Sequence, residues 1–87
     1  MINGALEVGT ETATKVPVGK GDRPLVLNVG DTVLYIGNTS GVTSANGIPL
    51  SQNVGYEFPN TLEFAEWNEV WVISVDATGE LRYATVG

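Results

Sequence analysis

Apolar and polar residues alternate with a period of two over several short stretches, and glycine or proline separates most of them. The first is residues 12–18, with Thr12, Thr14, Val16 and Val18 on one side and Ala13, Lys15 and Pro17 on the other. Pro17 has no N–H to give a ladder, so this strand is expected at a sheet edge. Gly19-Lys20-Gly21-Asp22 reads as a turn leading into a strand over 24–29. Gly30-Asp31 then reads as a tight reversal into 32–36, which predicts a hairpin. A polar turn over 37–41, a short strand at Val42-Thr43 and a turn at Asn46-Gly47 follow, the last because both residues tolerate positive φ. Beyond Ile48-Pro49-Leu50, the residues Val54, Tyr56 and Phe58 alternate with Gly55 and Glu57 as a half-buried strand does. Residues 70–75 form another strand, 76–80 a hairpin loop with Gly79 left-handed, and 81–86 the last strand.

Residues 61–68 fit two templates. Leu62 and Phe64 alternate with Glu63 and Ala65 at strand period, while Asn60 and Glu63 have the spacing of a helix-capping box. A short strand or irregular connection is the favoured reading. Residues 1–11 show no pattern and are read as a flexible N-terminal arm, with 12–87 as a single β domain. The fold class expected is all-β, a small antiparallel β-sandwich or barrel with an extended N-terminal arm. No internal repeat is present.

Strict alternation fails in two places. Val33-Leu34-Tyr35-Ile36 and Val70-Trp71-Val72-Ile73 are apolar on both faces, whereas a sandwich strand has one core face and one wet face. Either a neighbouring subunit covers the second face, or a strongly coiled barrel covers it with its own loops. Burying one large apolar side chain contributes about 1.5–3 kcal/mol relative to exposure, so the choice matters. Trp71, inside a strand, reads first as core, and Trp67, among Glu66, Asn68 and Glu69, as partly exposed. Tyr35, Phe64, Trp67 and Trp71 are the candidate protein-interface residues.

Eighty-seven residues bound the protein to one domain with a thin core. There is no cysteine and no histidine, so disulfides, thiolate metal sites and the commonest general base are excluded. Association is the remaining way to reinforce so small a domain, and a homo-oligomer is expected, with a trimer favoured. Ten acidic against four basic side chains leave a net charge of −6, which opposes direct nucleic-acid binding. No apolar run approaches the ~20 residues of a membrane span, and the N-terminus lacks the features of a signal peptide.

No catalytic or metal pattern emerges. Glu57, Glu63, Glu66 and Glu69 are close enough in sequence for paired-carboxylate chemistry, but a chain this short has little loop mass to build a cleft around them. Asp22, Asp31 and Asp76 stand at glycine-containing turns, where Asp bonds its own backbone, and no calcium loop is present. No cofactor, no metal and no enzymatic activity are expected. Tyr35, Tyr56 and Trp67 offer an alternative as stacking rings of a receptor- or carbohydrate-binding module.

The segment Thr32-Val33-Leu34-Tyr35-Ile36-Gly37, then Val42-Thr43, Asn46-Gly47-Ile48-Pro49-Leu50 and the Val70-Trp71-Val72-Ile73-Ser74 strand resemble small structural proteins of tailed bacteriophages. The resemblance covers roughly residues 24–86 and consists of turn and core patterns. It implies a capsid decoration, head-fibre or tail-associated protein, often oligomeric, made in the host cytoplasm and located in the virion. The implied partner is a major capsid or other virion protein, and the N-terminal arm would anchor on the assembly.

Overall fold

In a computed structural model, which describes residues 3–64 and 66–85, the chain is all β. Its strands are β1 (Asn3–Val8), β2 (Thr14–Lys15), β3 (Pro24–Asn28), β4 (Leu34–Gly37), β5 (Ile48–Leu50), β6 (Gly55–Glu57), β7 (Trp71–Ser74) and β8 (Gly79–Thr85). They form two four-stranded sheets packed face to face. Sheet I has the order β1-β8-β3-β6 and sheet II the order β2-β7-β4-β5. Every pairing is antiparallel.

The pairs β1–β8, β2–β7, β3–β6 and β4–β5 make one long antiparallel ribbon that doubles back at the β4–β5 connection. The ribbon is rolled so that β3 also meets β8 and β4 also meets β7. This eight-stranded, two-sheet connectivity is a jelly roll. The expected sandwich is therefore present.

Period-two alternation places the core. Val26 and Leu81 of sheet I face Leu34, Ile36 and Val72 of sheet II, all fully buried. Val8, Val16, Val70, Leu62 and Phe58 close the ends of the same cluster. β2 is an edge strand, as Pro17 requires, and Val16 and Val18 point inward beside it.

Several local expectations are corrected. Asn3–Val8 do not stand off as an arm but pair with β8 along their whole length; Met1 and Ile2 lie outside the described residues. What holds β1 there is partly Tyr83, whose ring lies against Gly4 so closely that a Cβ on Gly4 would sit 2.5 Å from the Tyr83 Oη. Gly30-Asp31 and the 75–78 segment do not turn hairpins. Each carries the chain from one sheet to the other, because β3 and β4 lie in different sheets, as do β7 and β8. Val42-Thr43 forms no strand. The described residues with positive φ are Asn53 (63°) and Gly21 (92°), so Gly47 and Gly79 are glycine for want of space, not for handedness. A Cβ on Gly79 would meet Leu34 Cδ2 at 2.5 Å. Residues 61–64 and 66–68 are irregular and turn-containing, within the favoured reading of a short strand or irregular connection, and Ala65 lies outside the described residues.

The sheets are fastened together at Asn28, a fully buried polar residue of β3. Its side-chain amide donates to the carbonyls of Thr32 (2.8 Å) and Leu50 (2.7 Å), and its Oδ1 accepts from the Gly30 N–H (3.0 Å). One side chain thus shapes the β3–β4 crossing and reaches β5 of the opposite sheet.

Candidate functional site

The outward face of sheet II is where the two-sided apolar strands lead. Leu34, Ile36, Val72 and Ser74 point into the core, so Val33, Tyr35, Trp71, Ile73 and Val75 point out. Tyr35 lies opposite Ile73 on one side and Pro49 on the other, and Trp71 lies between Gly37 and Lys15. Tyr35, Trp71 and Ile73 are half-buried, while Val33 (38%) and Val75 (47%) are exposed.

Part of the cover comes from the chain itself. The connection between β4 and β5 folds back over the sheet, where Val42 is 4% exposed yet lies outside the main core cluster. Gly37 makes this possible, because a Cβ there would stand 2.6 Å from Val42 Cγ2. Gly47 packs against the Tyr35 Cβ in the same way. The turn is held by Gly47 N–H donating to Thr43 O (2.8 Å) and by Asn46 Oδ1 accepting from Thr43 N–H (2.7 Å). Residues 11–13 and 40–43 flank Ile73 as the walls of a shallow groove. The sequence left neighbour or own loop open as the cover; own loops supply it over Gly37 and leave the Val33–Val75 end open.

Polar contacts fix Trp71 on this face. Its indole N–H donates to Glu69 Oε1 at 2.9 Å, and Lys15 Nζ lies 3.3 Å from Glu69 Oε2. The Trp71 hydrogen bond first, then the hydrogen bond and positive charge of Lys15, hold the Glu69 carboxyl below its ordinary range. The pair is half-exposed, so its effect is on side-chain placement more than on stability.

The four sequence candidates do not form one site. Tyr35 and Trp71 share the outer face of sheet II, which reverses the reading of Trp71 as core. Trp67 packs instead onto the core, its ring 5.4 Å from that of Phe58. Phe64 is 80% exposed on the turn after Leu62, away from the strands. The three rings considered for sugar stacking are also separated. Tyr56 meets Phe58 edge-on at 4.8 Å and Trp67 covers the same Phe58, so both are spent on core packing while Tyr35 faces out from sheet II.

The sequence missed the outer face of sheet I. Leu25 and Leu27 of β3, Ala84 of β8 and Ala5 of β1 share it, lining a shallow groove of about 460 Å³ with Arg82 at its rim. Their alternation with Pro24, Val26 and Asn28 was the available signal, obscured because the run 24–27 is apolar throughout.

Among the described residues no group of three or more acidic side chains is placed to hold a metal ion, and no helix is long and apolar enough to cross a membrane. No protein-family model, characterised protein sequence or solved structure matches the chain.

Proposed function

We propose that this chain is a non-enzymatic structural protein that works by holding other protein surfaces, in concrete terms a capsid decoration protein that binds and stabilises a phage head. The observation that carries this reading is the outer face of sheet II. Its apolar row Val33, Tyr35, Trp71, Ile73 and Val75 is only partly roofed by the chain's own loop, on a sheet whose other face already fills the core. Aromatic residues held rigid by neighbours, as Trp71 is by Glu69, suit an interface anchor because little side-chain freedom remains to be lost on docking. The jelly-roll connectivity adds a fold-level analogy alone: such double sheets build viral capsid and lectin domains, and fold does not fix function.

The test is co-sedimentation of the chain with purified heads of a tailed phage stripped of their own decoration protein. Saturable binding, lost on Ile73→Asp or Val33→Asp with the β-sheet circular dichroism unchanged, is the expected result. Absence of binding at saturating concentration, or binding indifferent to both substitutions, would remove the proposal.

A further inference from the structure

The four outer strands of the two sheets are not equally protected. β2 is two residues long and runs into Pro17. β5 carries Pro49 at its centre. β6 is three residues long and ends where Arg23 Nε binds the Phe58 carbonyl. Short length, proline and local capping are the usual means by which a sheet edge is closed to other strands. β1, by contrast, has six residues with no proline, no lysine and one charge, Glu7.

The backbone shows which of its groups are free. Asn28 N–H donates to Val54 O, Asn53 N–H to Asn28 O and Phe58 N–H to Pro24 O, so the even-numbered residues of β3 address β6. Leu25 and Leu27 therefore address β8, opposite Ala84 and Arg82, in keeping with the bond from Val29 N–H to Glu80 O. In antiparallel sheets successive residues turn their peptide groups to opposite neighbours. Leu81 and Tyr83 thus address Leu6 and Gly4 of β1. Asn3, Ala5 and Glu7 are left with N–H and C=O aimed away from β8, and among the described residues no strand lies on that side.

We infer that β1 is a pairing edge for a second copy of this chain, which adds its own β1 antiparallel about a two-fold axis through Ala5. The strand is self-complementary in that register. Ala5 faces Ala5 of the second copy, Asn3 faces Glu7, and Gly4 faces Leu6. All three residues with free peptide groups then exchange hydrogen bonds, and like charges are kept apart. Sliding the copies by two residues would idle one bonding residue at an end of each strand, and sliding by four would set Glu7 against Glu7. Pairing this way makes one continuous eight-stranded sheet and sets the two Leu25–Leu27 grooves side by side across the axis. It is isologous and closes at two copies, so it replaces the trimer expected from the sequence by a dimer or an even-numbered assembly. It does not depend on docking through sheet II.

Light scattering after size exclusion, on the full chain over a concentration series, tests this. The mass should rise from 9.2 kDa toward twice that value. Ala5 is exposed, so its substitution leaves the monomer able to fold, as circular dichroism will check. Ala5→Pro removes a free N–H from each copy and should weaken dimerisation about tenfold or more. Ala5→Lys and Ala5→Glu each place like charges opposite one another and should be monomeric alone, while their equimolar mixture regains the dimer. A wild-type chain monomeric at millimolar concentration overturns the inference. So does an oligomer of any size indifferent to all three substitutions, or a Lys and Glu mixture that stays monomeric. Ile73→Asp should leave the dimer intact while abolishing head binding, which separates this edge from the sheet II face.

Discussion

Asn28 offers the sharpest test of how the two sheets are joined. It is fully buried, and its amide serves two carbonyls and one N–H. Asn28→Ala removes all three partners at once, leaving the Thr32 and Leu50 carbonyls without their donor in a site closed to water. Each polar group stranded in this way costs about 1–3 kcal/mol. The Gly30 N–H is only partly buried and can recruit water, so the sum is expected at about 3–5 kcal/mol. A domain of 87 residues has roughly 4–13 kcal/mol of stability in total, so this one amide accounts for a large share of it. Asn46 supplies an internal control of the same residue type. It too bonds the backbone through both side-chain atoms, to Thr43 N–H (2.7 Å) and Gly41 O (3.3 Å), but in an exposed turn where water can replace it. Asn46→Ala should therefore cost about 1 kcal/mol or less. Urea unfolding of both variants, followed by tryptophan fluorescence, gives the comparison with the slope of the transition as a check on two-state behaviour. Asn28→Asp should do no better than alanine at neutral pH, since it sets a carboxylate oxygen against two carbonyls. If Asn28→Ala falls within about 1 kcal/mol of Asn46→Ala, burial is not what gives the Asn28 bonds their weight, and the reasoning fails.

Further expectations follow from the outer face and the rings. Gly37→Ala should lift Val42 off sheet II, costing about 1–3 kcal/mol and accelerating hydrogen exchange at the Gly47 amide, which closes that turn. Glu69 is held below its usual value of 4.5 first by the Trp71 indole and then by Lys15, so its stabilising contribution is present above that value and lost as pH falls through the folded value. Carboxyl NMR titration should accordingly find the Glu69 pKa raised toward 4.5 in Trp71→Phe and in Lys15→Met; an unchanged value in both would refute the assigned cause. Phe64→Ser should change stability by no more than about 0.5 kcal/mol, whereas Trp67→Ala, which uncovers Phe58, should cost about 2–3 kcal/mol. Thermal melts of the two proteins decide between the roles assigned to those rings.

Fold class and most strand positions were legible from the residues alone, because those depend on properties local to a few residues. Alternation at 12–18 put Val16 and Val18 on one side, which the fold buries, and Pro17 correctly put that strand at an edge. The two-sided apolar character of residues 33–36 and 70–73 was equally legible, and these strands do lie side by side in sheet II. What covers their second face was not legible, since it depends on a loop returning over Gly37 from five residues further along the chain. The role of Asn28 was hidden for the same reason, as one of its partners, Leu50, is 22 positions away. The turn signals at Gly30-Asp31 and near Gly79 show the limit most clearly. A short glycine-containing turn looks the same to the local chain whether it reverses within one sheet or steps across to another. Which of these happens is decided by long-range pairing, here β3 with β8 and β4 with β7, and by the packing of two inner faces that only the rolled ribbon brings together. Residues 3–8 read as patternless for a related reason. β1 does alternate, with Gly4, Leu6 and Val8 inward and Asn3, Ala5 and Glu7 outward. Glycine in the inward row and alanine in the outward one blur the contrast, and the partners that complete it, Tyr83 and the open peptide groups of β8, lie far along the chain.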